Sequence, residues 1–143
     1  MAKTVDRVMT PMPDCCTLDD SAVEVARLML QRDVGVVPIV ESQDSRRLLG
    51  VVTDRDLVLR IMAEGLDPNE VVSMRDVMTE PVITCGPKDD MPTVEKLMQE
   101  HRLHRIVVVD EQSSVVGIVA TADVARVVDE EQMGETVKNI RQP

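Results

Sequence analysis

The chain has 143 residues, enough for one compact domain or for two small subdomains sharing a core. Apolar residues make up 43% of it, yet Phe, Tyr and Trp are absent, so the core must be Val, Ile, Leu, Met and Ala and no base can be held by aromatic stacking. With 26 acidic against 16 basic residues the net charge is −10, which opposes a nucleic-acid track or an anionic membrane surface but leaves room for a small anion where a few basic residues converge.

No apolar run approaches the roughly 18 residues of a membrane span, and the start MAKTVDRVMT lacks the apolar centre of a signal peptide, so a soluble cytoplasmic chain is expected. A short strand is expected around Cys15 and Cys16, whose side chains then point to opposite faces and do not converge on one metal. With no CxxC pair anywhere, no metal site is expected, and the three cysteines, with Cys85, read as small buried thiols.

A helix follows. Ala22, Val25, Ala26 and Met29 recur at helical spacing behind Asp20 and the N-terminal signal Ser21-x-x-Glu24. Residues 34 to 40, VGVVPIV, form a continuous β-branched run that reads as a strand buried on both faces. After a polar turn, the strand Leu48 to Val52 runs into the corner at Thr53, and Leu57, Val58, Ile61 and Met62 are expected to make one face of a closing helix.

The corner itself, GVVTDRD from Gly50 to Asp56, is the richest stretch for chemistry. Where a strand turns into a helix, backbone N–H groups lack helical partners and can point at a ligand. Thr53 adds a hydroxyl and Asp56 a carboxylate that can accept from both hydroxyls of a ribose. The same Thr-x-x-Asp spacing also suits a helix capping box, although that box prefers the longer Glu or Gln.

The pattern then repeats. Met9-Thr10 recurs 69 residues on as Met78-Thr79, and Cys16 meets Cys85, Asp20 meets Asp89 and Val40 meets Val109 at the same offset. Past a hairpin shorter by two residues, Gly50 meets Gly117 and Asp56 meets Asp123. The second unit reads as strand Val82 to Cys85, helix from Asp90 to His101, strands Ile106 to Val109 and Val115 to Val119, and a helix from Thr121 to Asp129. The expected division is 5–64 for the first domain, 65–74 for a linker broken by Gly65 and Pro68, 75–130 for the second domain and 131–143 for a tail, either a short docked helix or frayed. Neither three-stranded unit can cover both sheet faces alone, so the two are expected to pack sheet to sheet.

Met9-Thr10 and Met78-Thr79 at the unit starts, GVVPIV at 35 to 40, and GVVTDRD and GIVATAD at the ends of the last strands together resemble a tandem pair of cystathionine β-synthase (CBS) domains, a Bateman module. The resemblance covers about residues 5 to 130. It implies an α/β fold of two pseudo-symmetric β-α-β-β-α units, and a regulatory rather than enzymatic role through adenosine-type ligands such as AMP, ADP or ATP held in interdomain clefts. On that resemblance Thr53 and Asp56 hold the ribose, while Val51, Ile83 and Leu103 line the adenine pocket. The run from His104 to Val109 is similar to the phosphate-contacting segment in the γ subunits of AMP-activated protein kinase, which makes His104 and above all Arg105 the phosphate partners.

The second cleft, with Asp123 and Ile118, departs from the pattern: Ala120 replaces the hydroxyl residue, and Gly35-Val36 stand where the first offers His104-Arg105. Weak binding, a non-phosphorylated adenosine ligand, or no ligand is expected there. No nucleophile, P-loop or GxGxxG cradle appears, and no cofactor is expected. A homodimer is expected, with an effector protein as a further partner. Two rival readings are a structural dimerisation module with vestigial clefts and an accessory subunit of a separate enzyme or transporter.

Overall fold

A computed structural model describes residues 3–70, 73–127 and 129–130. In chain order these form β1 (Thr10–Pro11), α1 (Ala22–Arg32), β2 (Val36–Val40), β3 (Leu48–Thr53), α2 (Asp54–Leu57), β4 (Thr84–Cys85), α3 (Met91–His101), β5 (Arg105–Val109), β6 (Val115–Ala120) and a closing helix, α4, over 121–127. The tail 131–143 and linker residues 71–72 lie outside the described residues.

The two halves repeat each other in detail. Ser21 caps α1 by accepting from the Glu24 N–H at 3.1 Å, and Asp90 caps α3 by accepting from the Thr93 N–H at 2.9 Å. Both helices end on a left-handed residue that is not glycine, Asp33 at φ 54° and Arg102 at φ 55°. The hairpins β2–β3 and β5–β6 are antiparallel, each with a register shift at the matching place, Ile39/Val40 and Val108/Val109.

The Met-Thr segments cross over. β1 pairs with β6 of the second half through Thr10 and Ile118, while Thr79, which opens the second half, bridges Val51 in β3 of the first. Each half thus lends its opening residues to the other's last strand. The second sheet runs β1-β6-β5-β4, and the first is β2-β3 with Thr79 and Cys16 attached by single bridges. Gly50 is required by this exchange: a Cβ there would stand 2.8 Å from Met78 Sδ and 3.1 Å from the Thr79 carbonyl oxygen.

Three apolar layers follow from the alternation along the strands. Val25, Met29, Val37, Val52 and Ile61 fill the space between the first sheet and its helices, and Val94, Met98, Ile106, Val119 and Val124 do the same in the second half. Cys15, Val40, Val51, Val107 and Val115 lie between the two sheets. That middle layer is the expected sheet-to-sheet packing.

Two local expectations are corrected. The closing helix of the first half is a single α turn that widens into a π turn at Val58–Met62, so Leu57, Val58, Ile61 and Met62 do not share a face: Ile61 is buried while Met62 is 71% exposed. The strand expected from Val82 is only Thr84–Cys85, which frees Val82 and Ile83 to face a cavity.

Cys15 and Cys16 do point to opposite faces, one into the inter-sheet layer and the other into the first core. Burial pushes Cys15 up to about 11 and Cys16 and Cys85 up to about 12, from an ordinary value of 9.0. Folded chains then hold these protons where unfolded chains have lost them, so stability is intact below pH 9 and falls as pH climbs through 9 toward 12. Each thiol costs about 1.4 kcal/mol of stability at pH 10. Urea unfolding between pH 8 and 10.5 should show this decline, and a Cys15→Ala/Cys16→Ala/Cys85→Ala variant should show a shallower one; equal slopes would refute the assignment.

Candidate functional site

A cavity of about 400 Å³ opens between the halves at the C-terminal end of β3. Its apolar lining comes from both sheets and from the second half's opening segment: Val36, Val51, Ile83, Leu103, Val107 and Ile118. Arg55, Arg102, His104 and Arg105 also line it, and among the described residues Asp54 is the one acidic side chain of the lining. In a chain of net charge −10, four basic residues around one cavity are a local reversal of sign.

The loop that carries Arg102 and His104 and leads into Arg105 is fixed at both ends. Leu103 N–H donates to the Met98 carbonyl at 2.9 Å as α3 closes, and the His104 carbonyl accepts from the Thr121 N–H at 2.8 Å. The equivalent loop on the other wall is held the same way, with the Gly35 carbonyl accepting from the Asp54 N–H at 3.0 Å. A Cβ on Gly35 would stand 3.1 Å from Asp54 Oδ2, so glycine keeps this wall open beside the Asp54 carboxylate.

The structure brings Val51, Thr53, Ile83, Leu103, His104 and Arg105 to the one cavity. Asp56 is placed differently. It is 7% exposed, does not line the cavity, and completes a capping box: the Asp56 N–H donates to Thr53 Oγ1 at 3.0 Å and the Thr53 N–H donates to Asp56 Oδ2 at 2.9 Å. Thr79 Oγ1 donates to the same carboxylate at 3.1 and 3.2 Å, and Arg60 Nε lies 3.5 Å from Oδ1. Asp56 thus serves the capping box, while Thr53 and Thr79, which both contact it, line the cavity.

The expectation of free N–H groups at this corner is also corrected. Those of Asp54, Arg55 and Asp56 are taken by the Gly35 carbonyl, the Asp54 carboxylate and the Thr53 hydroxyl. The corner presents side chains to a ligand, and the backbone serves the fold.

Ile118, assigned from sequence to the second cleft, lines this first cavity. It is the repeat partner of Val51, and both sit in the layer between the sheets where the halves meet. Asp123 behaves as a weaker copy of Asp56: it accepts from the Ala120 N–H at 3.0 Å, lies 3.8 Å from Arg126 Nη2, and its side chain is 26% exposed.

Residues that sequence reasoning missed include Thr79, Arg102, Asp54 and Val36. Arg102 was legible in one respect, since the repeat sets it against Asp33, a reversal of charge between the two walls. Among the described residues no three His, Cys, Asp or Glu side chains are placed to hold a metal, and no helix is long and apolar enough to cross a membrane.

Comparison with known proteins gives this geometry its context. CBS domain-containing protein YhcV of Bacillus subtilis is 34% identical over 138 residues, covering 96% of this chain and 94% of that one. Hypoxic response protein 1 of Mycobacterium tuberculosis is 31% identical over 140 residues, and its crystal structure, with two coordinated zinc ions, superposes with a TM-score of 0.75 over 87% of this chain and 98% of that one. A Methanopyrus kandleri protein is 35% identical over 108 residues, and the chain spans about half of its length, 54%. At lower identity, the CBS domain pair of MJ0100 in complex with 5-methylthioadenosine and S-adenosyl-L-methionine has 23% identity and a TM-score of 0.76, covering 92% and 99% of the two chains. CBSX2 in complex with AMP has 22% identity and a TM-score of 0.77, covering 90% and 98%. The sequence profile of the CBS domain matches residues 5–63 and again residues 74–130, so the chain belongs to the CBS domain family as a tandem pair.

Proposed function

We propose that this CBS pair is a regulatory module that senses an adenosine-containing ligand, of the AMP, ADP or ATP type, in the cavity between its halves. The observation that carries the reading is the meeting of four basic side chains with an apolar pocket and the Thr53–Asp56 corner in an otherwise acidic chain. The adenine lies among Val51, Ile83 and Leu103, the ribose toward Thr53 and Asp56, and the phosphate toward His104 and Arg105. A guanidinium presents a planar fork of donors suited to phosphate oxygens. The complexes of MJ0100 and CBSX2 support an adenosine ligand for this fold. Among the described residues Asp123 has no hydroxyl partner and no basic pair beside it, and it contributes no comparable site.

The test is mass spectrometry of small molecules released from the purified protein, followed by calorimetry with the species found and with AMP, ADP and ATP. Binding near one equivalent per chain is the expected outcome. A structural dimerisation module with a vestigial cleft is the second reading, favoured by the saturation of Asp56 with protein donors, and absence of binding in that titration would select it.

The module acts as a homodimer. Leu30, Val58, Leu59 and Met62 are exposed on the helices of the first half, with Leu30 at 82%, while their repeat counterparts at 99, 125, 126 and 129 are Gln, Ala, Arg and Asp. An apolar face confined to one half favours an isologous contact between two first halves. Sedimentation should give a dimer at micromolar concentration, and Leu30→Glu with Met62→Glu should give a folded monomer. A monomeric wild type would reject the assignment.

A further inference from the structure

The reading above needs Asp56 to meet a ribose, yet the structure closes Asp56 off with a protein hydroxyl. Thr79 lines the cavity, and its Oγ1 stands 3.1 and 3.2 Å from the two carboxylate oxygens, so a single proton is shared across both acceptors. A vicinal diol offers two O–H donors, one for each oxygen. Protein hydroxyl and ligand diol therefore compete for the same face of the same carboxylate.

The surroundings let the hydroxyl alone give way. The Thr79 backbone is tied to Val51 in both directions, its N–H donating at 2.7 Å and its carbonyl accepting at 3.2 Å. Arg60 Nη1 holds the Met78 carbonyl at 3.0 Å, so the residue before Thr79 is fixed as well. The Thr53 N–H reaches Asp56 Oδ2 from within the capping box and needs no change. What remains free is rotation about χ1 of Thr79, a move between staggered rotamers.

The second half does not repeat this arrangement. Thr10, the counterpart of Thr79, pairs with Ile118 as Thr79 pairs with Val51, yet among the described residues no hydroxyl donates to Asp123. The Thr–Asp contact is thus not an inevitable product of the crossover.

We infer that Thr79 sets the affinity and the diol selectivity of the cavity: in the free protein its hydroxyl occupies the acceptor sites on Asp56 that a ribose 2′,3′-diol takes in the complex. This rests on the adenosine reading of the cavity. The stabilisation that Thr79 gives the free state is subtracted from the observed affinity, because a ligand shifts an equilibrium only by its differential interaction with the two states. A ligand without the diol does not displace Thr79 and is bound without that subtraction.

The test is calorimetry on the full chain with AMP, ADP and ATP and with their 2′,3′-dideoxy counterparts, for the wild type, Thr79→Ala and Thr79→Ser, each checked for an intact melting transition. Thr79→Ala should bind the ribonucleotides about five- to tenfold more tightly and leave dideoxynucleotide binding unchanged. Thr79→Ser, which keeps the hydroxyl, should match the wild type and shows whether the methyl group matters. A ribonucleotide affinity that is unchanged or weaker in Thr79→Ala, or an equal gain for the dideoxy series, overturns the role of Thr79 while leaving the nucleotide reading in place. Failure of the wild type to bind any of the six nucleotides overturns both.

Discussion

Asp56→Ala is expected to lower the melting temperature and the nucleotide affinity together, whereas Asp123→Ala should change both little. The stability arm follows from the contacts: Asp56 is 7% exposed and accepts from the Thr53 N–H and the Thr79 hydroxyl, so its removal strands two donors and breaks a capping box. Stranded donors and a lost cap cost about 2 kcal/mol, or about 4–8 °C for a domain of this size. Loss of charge-assisted bonds to a ribose costs roughly 1.5–3 kcal/mol, a ten- to 150-fold drop in affinity. Asp123 has one N–H partner and a side chain that is 26% exposed, so water replaces much of what is removed. Asp56→Asn separates the two roles, because its amide oxygen can still cap the Thr53 N–H while the charge that strengthens a bond to a diol is gone. Thermal melts and calorimetry on the three variants decide the matter. A fall in melting temperature at Asp56 without a fall in affinity would leave a structural cap and no ribose site, and equal affinity losses at Asp56 and Asp123 would refute a single good cavity.

The two roles of Asp56 could be read in the sequence only as alternatives, because Thr-x-x-Asp spacing satisfies both geometries. What decides its accessibility is Thr79, 23 residues away, and that contact depends on the crossover of the Met-Thr segments. A repeat offset of 69 residues is the same whether each segment pairs within its own half or with the other, so the exchange left no trace in the pattern. Local signals fared better. The Ser21 and Asp90 caps and the two hairpins depend on residues close in sequence or on strand alternation, whereas Val51, Ile83 and Leu103 are reached only through the resemblance to CBS pairs. The closing helix of the first half failed as a pattern because a π turn at Val58–Met62 breaks the 3.6-residue period that the reading assumes. Arg102 went unnoticed since a left-handed helix end is signalled by glycine, and here arginine occupies it.

Arg102 stands beside the proposed phosphate partners. It lines the cavity together with Arg55, His104 and Arg105, and these side chains are exposed to solvent at the cavity mouth. Each therefore acts through a screened, charge-assisted contact worth on the order of 1 kcal/mol rather than the full strength of a buried pair. Arg105→Ala alone should weaken AMP about fivefold and leave adenosine nearly unchanged, since adenosine carries no phosphate for it to meet. Removing two charges does more. In Arg102→Ala/Arg105→Ala the loss for AMP should reach about 30-fold, and the dependence of affinity on salt concentration should flatten, because two of the cations that answer to ionic strength are gone. Adenosine serves as the internal control: its binding reports the apolar lining and the Thr53–Asp56 corner, which both substitutions leave intact. If adenosine and AMP weaken equally, the arginines support the fold of the Arg102–Arg105 loop and do not meet a phosphate. If AMP is unaffected while adenosine still binds, the phosphate leaves the cavity by another side, and Arg55 on the first half becomes the side chain to change next.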